Sequence, residues 1–199
     1  EIVRIYGYEN LPLTLLNDVL PPQHLNQKLD TTERIRDTLV ASGMDEIITY
    51  SMMNPMDEAR LRLEEDIDLI KFVPLKNPLS QDRSHMRCSL LPGALNTARS
   101  NLRFLAKVVT FEVGNVFHPH KGNKLPDELQ RLSLLMSGSR DSQSWLEKAG
   151  DNYDFFDLKG ILEQFFQTLH LDEIEWRKSS DLPCHPGRCA QILVKGNVL

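Results

Sequence analysis

Val108-Val109-Thr110-Phe111-Glu112-Val113-Gly114-Asn115-Val116-Phe117 is the stretch whose reading decides the fold. β-Branched and aromatic residues dominate it, so it reads as a strand, interrupted at Gly114-Asn115. Leu129 to Met136 reads as another strand, and the polar segment 139–153 as a loop with a short helix around Trp145. Beyond it, Leu158, Ile161, Leu162, Phe165, Phe166 and Leu169 keep helical spacing and predict a helix from Asp157 to His170, capped by Asp157. Ile174 to Arg177 and Cys189 to Val194 predict two more strands, and Gly196-Asn197 a hairpin turn whose second strand is cut off.

Working back from the central strand, Pro92 opens a helix over 92–106. Its apolar positions Leu91, Leu95, Ala98, Leu102 and Leu105 form one stripe. Leu69 to Val73 reads as a strand, and Asn54-Pro55 as the capped start of a short helix. Ile47-Ile48-Thr49-Tyr50-Ser51-Met52 is a strand by composition. A capping-box pattern from Asp30 to Glu33 predicts a helix over 31–43 that stops at Gly43. Pro21-Pro22 marks 17–30 as a linker, and residues 1–16 read as the end of a preceding domain. About six strands and four helices in mixed order predict an α+β domain over 31–199: one antiparallel sheet flanked by helices on one face. The chain starts abruptly inside an amphipathic pattern, as a piece of a longer protein does, and the domain reads as truncated at its C-terminus.

The 199 residues carry a net charge of -5 and 26% charged side chains. A surface that wraps nucleic acid throughout would be basic, so any RNA contact is expected to be local. No apolar run reaches the roughly 18 residues of a membrane span. Three cysteines, an odd and low number, fit a reducing compartment and a cytoplasmic location. Cys184 and Cys189 flank His185, but Cys-x4-Cys lacks the second ligand pair of a structural zinc site, so small thiols are the expectation.

Four strings carry the reading further. They are Arg4-Ile5-Tyr6-Gly7-Tyr8-Glu9-Asn10-Leu11-Pro12; Asn77-Pro78-Leu79-Ser80 with Met86-Arg87-Cys88-Ser89-Leu90-Leu91-Pro92-Gly93; Phe111 to Phe117; and Asp154-Phe155-Phe156-Asp157-Leu158-Lys159-Gly160 with His185-Pro186-Gly187-Arg188-Cys189-Ala190. In this order they resemble the signatures of the beta subunit of bacterial-type phenylalanyl-tRNA synthetases, over nearly the whole chain. The resemblance implies a degenerate class II aminoacyl-tRNA synthetase core. It implies phenylalanine–tRNA ligase as the parent enzyme, using ATP and magnesium. It also implies the catalytic alpha subunit as partner in an alpha2beta2 heterotetramer, and tRNA(Phe) as partner of the complex.

Whether the catalytic groups survive is a separate question. Adenylate formation wants a guanidinium on the α-phosphate. The position resembling that arginine is His118, and the expected acid nearby is His120. An imidazole cannot fork onto two phosphate oxygens. The expectation is therefore a fragment with no catalytic or cofactor-binding residue of its own: a non-catalytic scaffold that docks the alpha subunit. The alternatives are a free-standing adenylating class II paralogue and a tRNA-binding module.

Glu1 resembles the second acid of a family magnesium site, and its plain alternative is a surface glutamate. Apolar residues fall on both alternating sets between Ile47 and Met53, so that strand wants cover on both faces. Ile47, Ile48, Tyr50 and Met52 are accordingly candidates for the subunit interface. Arg99 and Arg103, four apart in the densest basic stretch, are candidates for tRNA or partner contact. Their plain alternative is solvated edging of an apolar stripe.

Overall fold

A computed structural model describes residues 1–15, 17, 19–22, 24–62, 72–120, 122, 125–141, 150–181, 183–185 and 187–199. In chain order its elements are α1 (Ile2–Tyr6), α2 (Gln27–Ala41), β1 (Asp45–Glu46), β2 (Met52–Met53), α3 (Pro55–Arg62), β3 (Val73–Pro74), β4 (His85–Met86), α4 (Leu91–Asn101), β5 (Lys107–His118), β6 (Asp127–Gly138), α5 (Phe155–Thr168), β7 (Ile174–Lys178), β8 (Ala190–Val194) and β9 (Asn197–Val198). The predicted helix around Trp145 and most of the predicted strand from Leu69 lie outside the described residues.

The long hairpin of β5 and β6 is the spine. Its antiparallel register runs unbroken from Lys107↔Gly138 to His118↔Asp127. Gly114-Asn115 does not interrupt β5: the two residues pair with Arg131 and Gln130. The expected single antiparallel sheet is corrected to three three-stranded sheets, β1-β5-β6, β2-β4-β3 and β7-β8-β9. The β1–β5 pair is parallel. Short edge strands explain the division, because two-residue strands supply too few ladder bonds to extend a twisted sheet. Single hydrogen bonds link the second sheet to the spine instead: the Phe117 amide donates to the Arg87 carbonyl at 2.8 Å.

Alternation along β5 gives it two buried faces. Phe111 faces a cluster with Leu39, Met44, Phe165 and Phe166, joining α2 and α5 to the spine. Trp176 and Ile192 pack against the same cluster, so the third sheet shares this core. Thr110 and Glu112 are buried on the other side. There the start of α4 approaches so closely that a Cβ on Gly93 would press on Thr49 Oγ1. Helices therefore flank both faces of the spine, not one.

Several boundaries move for local reasons. α2 begins at Gln27, inside the expected 17–30 linker, because Asn26 Oδ1 accepts from the Leu29 amide at 3.2 Å and caps the helix there. α5 begins at Phe155 because Asp154, not Asp157, is the cap; Asp157 is the third helical residue and completes a capping box. α4 stops at Asn101, and its buried residues are Pro92, Ala94 and Ala98, while Leu95, Leu102 and Leu105 stay exposed. Small residues permit the close approach of that helix; larger ones on the same face would hold it away. The terminal hairpin closes, with Lys195-Gly196 at positive φ as the turn and β9 as its second strand.

Candidate functional site

The expected interface strand is not a strand along its whole length. Regular pairing covers Asp45–Glu46 and Met52–Met53, and residues 47–51 cross between the two sheets outside any strand. The Ile47 amide still donates to the Phe111 carbonyl at 2.8 Å. From there the side chains part cleanly. Ile48 is 91% exposed and Tyr50 65% exposed, whereas Met53 is buried and Ile47 and Met52 are half-buried. The even division of apolar residues in the sequence thus hides one solvent-facing pair, Ile48 and Tyr50.

Thr49, between them, turns inward and is held by a buried ion pair. Glu112 lies in β5 and is 2% exposed; its Oε1 accepts from Arg87 Nη1 at 2.7 Å. The same carboxylate accepts from the Thr49 amide at 3.1 Å and from its hydroxyl at 2.7 Å. Arg87 also donates through Nη1 to the Thr49 hydroxyl at 3.0 Å and through Nε to the Asn115 carbonyl at 2.8 Å. Nearly every polar atom of the clamp has a partner, as buried charge requires. Gly114 makes it fit: a Cβ there would collide with the Arg87 guanidinium. Beside the clamp opens a cleft of about 380 Å³, lined by Ile48, Tyr50, Met52, Arg83, Pro92 and Asn96 among others. The Arg83 guanidinium sits 3.7 Å from the centre of the Tyr50 ring, a cation–π contact that orients the tyrosine.

The other candidates are dispersed. Glu1 is exposed at the start of α1 and pairs with Arg4 at 2.8 Å. Among the described residues no three His, Cys, Asp or Glu side chains come together as metal ligands. A magnesium role for Glu1 therefore depends on oxygen ligands from beyond these residues. His118 ends β5, half-buried, beside Arg131 in a separate cleft. His120 Nδ1 lies 3.1 Å from Asp127 Oδ2 at the tip of the hairpin. Arg99 is exposed in the last turn of α4, but Arg103 lies past the end of that helix, so the two do not share a helix face as the spacing predicts. The turn at residue 102 comes one step too early for that. Cys184 and Cys189 are free thiols; shielding from water, then the adjacent Cys189 thiol, push the Cys184 thiol up. His185 Nδ1 accepts from the Gly187 amide at 3.0 Å.

The clamp itself is what reading of single segments missed. Its signal was a glutamate inside an otherwise apolar strand, together with an arginine in a stretch that read as surface charge.

Residues 11–199 match the family described as the phenylalanyl tRNA synthetase beta chain CLM domain. The chain is 34% identical over its full length to the phenylalanine–tRNA ligase beta subunit of Syntrophotalea carbinolica, covering 25% of that protein. It is 38% identical to that of Moorella thermoacetica, again over its full length and 25% of the relative. The chain thus spans about a quarter of the length of the curated relatives it matches. Among solved structures, a pyrrolysyl-tRNA synthetase from Desulfitobacterium hafniense superposes with a TM-score of 0.64 at 17% identity, over 87% of this chain and 57% of that one. That likeness shows the fold alone, an α+β arrangement shared with that synthetase.

Proposed function

Because this chain belongs to the phenylalanyl-tRNA synthetase beta chain family, we propose that it is the scaffold part of a phenylalanine–tRNA ligase, which docks the catalytic alpha subunit and performs no chemistry itself. The observation that carries this is the pair Ile48 and Tyr50, left in water on either side of Thr49, which is hydrogen-bonded to a buried ion pair. Flexible loops commonly expose apolar side chains; a clamped one that does so is built to meet something. Held in place beforehand, the two side chains lose little further freedom on docking.

The non-catalytic half of the proposal rests on His118. It ends β5 where a phosphate-reading arginine is needed, and the Arg87 guanidinium is committed to Glu112 and Asn115. In the parent enzyme, ATP and magnesium belong to the partner's chemistry, tRNA(Phe) binds the assembled alpha2beta2 complex, and the setting is the cytoplasm. No helix among the described residues is long and apolar enough to cross a membrane.

The deciding experiment uses the full-length subunit co-expressed with its alpha partner. Ile48→Asp places a carboxylate at the centre of the proposed contact, where it would be buried unpaired. Assembly on size-exclusion chromatography should weaken by roughly tenfold or more, with the circular dichroism of the variant subunit unchanged. Ile48 serves better than half-buried Met52, whose replacement would also strike β2. Normal assembly by a folded Ile48→Asp subunit places the interface elsewhere. ATP–pyrophosphate exchange by the chain alone would overturn the non-catalytic reading.

A further inference from the structure

Another cavity, of about 480 Å³, lies between the start of α5 and the β7–β8 hairpin. Its walls are aromatic. Phe155 stands edge-on to Phe156, with ring centres 5.5 Å apart, and to Trp176 at 6.4 Å. Phe156 is 73% exposed, a large ring left in water at the mouth. Trp176 already carries a cation, Lys159 Nζ, 5.2 Å from its ring centre.

Cations form the rim. Lys178 and Arg188 both line the cavity and are exposed, and neither has a carboxylate at ion-pair distance among the described residues. Arg177 is different, since Glu175 lies 3.9 Å from it. The register of the hairpin sets Lys178 against Ala190, so no bulky side chain fills the space beside the lysine stem. One acid, Asp154, reaches the cavity, and its carboxylate is engaged with the amides of Phe156 and Asp157 at the helix cap. In a chain of net charge -5, two uncommitted cations over an aromatic floor are a local inversion of the surface.

That combination selects a ligand both flat and anionic. Aromatic side chains stack any base on its π-face, and adjacent Lys and Arg take the phosphate. We propose that this groove holds one unstacked nucleotide of a single-stranded RNA segment, the base against Phe156 and Trp176 and the phosphate against Lys178 and Arg188. An acidic peptide bearing a tyrosine is the competing occupant. It is disfavoured because a single carboxylate carries less charge and fewer acceptor oxygens than a phosphodiester chain for a two-cation rim.

Fluorescence anisotropy of the chain with fluorescein-labelled octauridylate tests this. Binding is expected to weaken steeply between about 50 and 200 mM salt. Lys178→Glu with Arg188→Glu should weaken it roughly tenfold or more, and Phe156→Leu roughly threefold or more. Both variants alter exposed side chains, and circular dichroism will confirm their fold. Arg99→Glu with Arg103→Glu should change affinity less than about twofold, since those residues lie outside the groove. Absence of binding, groove variants that bind like the parent, or a loss confined to the Arg99 and Arg103 variant would each overturn the proposal. So would displacement of the RNA by a Glu/Tyr octapeptide at lower concentration than unlabelled octauridylate.

Discussion

Arg87 and Glu112 show how a single pair of residues governs what the surface presents. Each charge is costly to bury alone, and each is tolerable because the other is 2.7 Å away and Thr49 and the Asn115 carbonyl supply further hydrogen bonds. Removing one partner strands the other. Arg87→Met should therefore lower the stability of the chain by about 3–5 kcal/mol, read from urea denaturation. Arg87→Met combined with Glu112→Leu should recover most of that loss, because no charge is left buried. A double variant no more stable than the single one would mean that the clamp contributes chiefly through its hydrogen bonds to Thr49. Gly114→Ala tests the same geometry from the backbone side. The new methyl collides with the Arg87 guanidinium, and a cost of about 1–3 kcal/mol is expected.

At the scale of an element, α5 is anchored at its N-terminus by charge. Arg140 Nη2 donates to Asp157 Oδ2 at 2.8 Å, and the same oxygen accepts from the Asp154 amide at 2.8 Å. The Arg140 hydrogen bond, then the backbone amide, hold the Asp157 carboxyl below its ordinary value. A group whose folded pKa is depressed stabilises the fold above its unfolded pKa and loses that contribution as pH falls through the folded value. Arg140→Gln should accordingly lower the melting temperature at pH 6. The gap between variant and parent should close as pH drops below about 3.8, toward full protonation of Asp157. A gap that stays constant down to pH 2 would show that the ion pair is not what the substitution removes. Asp154→Ala, which deletes the cap, should cost about 1 kcal/mol at neutral pH.

Across the whole molecule, stability is concentrated in one place. Leu39, Phe111, Phe165 and Phe166 bring α2, the spine and α5 together, and the β7–β9 sheet closes over them. The first 25 positions contribute nothing comparable: no described residue among them is buried, and Ile2, Ile5, Leu13, Leu15 and Val19 stand in water. Removing residues 1–25 should therefore leave the melting temperature within about 2 °C of the parent, since core burial sets the unfolding free energy. A larger drop in differential scanning calorimetry would assign this arm a packing role in the folded chain.

Local pattern sufficed for much of this. The β5 and β6 strands, the α5 helix with its Phe165-Phe166 face, the Asn54 cap and the α+β class all follow from periodicity and end signals, which act over a few residues. The four strings in their order placed the chain in its family. Other features needed the tertiary structure, for a common reason: they depend on which distant segments meet. Nothing near Gly114 announces Arg87, yet that guanidinium is why the strand carries a glycine there. Leu95 and Ala98 both look like core residues of one stripe, but the close approach of α4 to the hairpin buries the alanine and leaves the leucine exposed. Ile48 and Tyr50 are indistinguishable from Ile47 and Met53 by composition; the Glu112 carboxylate, 63 residues from Thr49, decides which of them face water. Sequence sets what each segment prefers by itself, and contact between remote segments decides which preference is realised, because burial is a property of the pair of surfaces and not of either one.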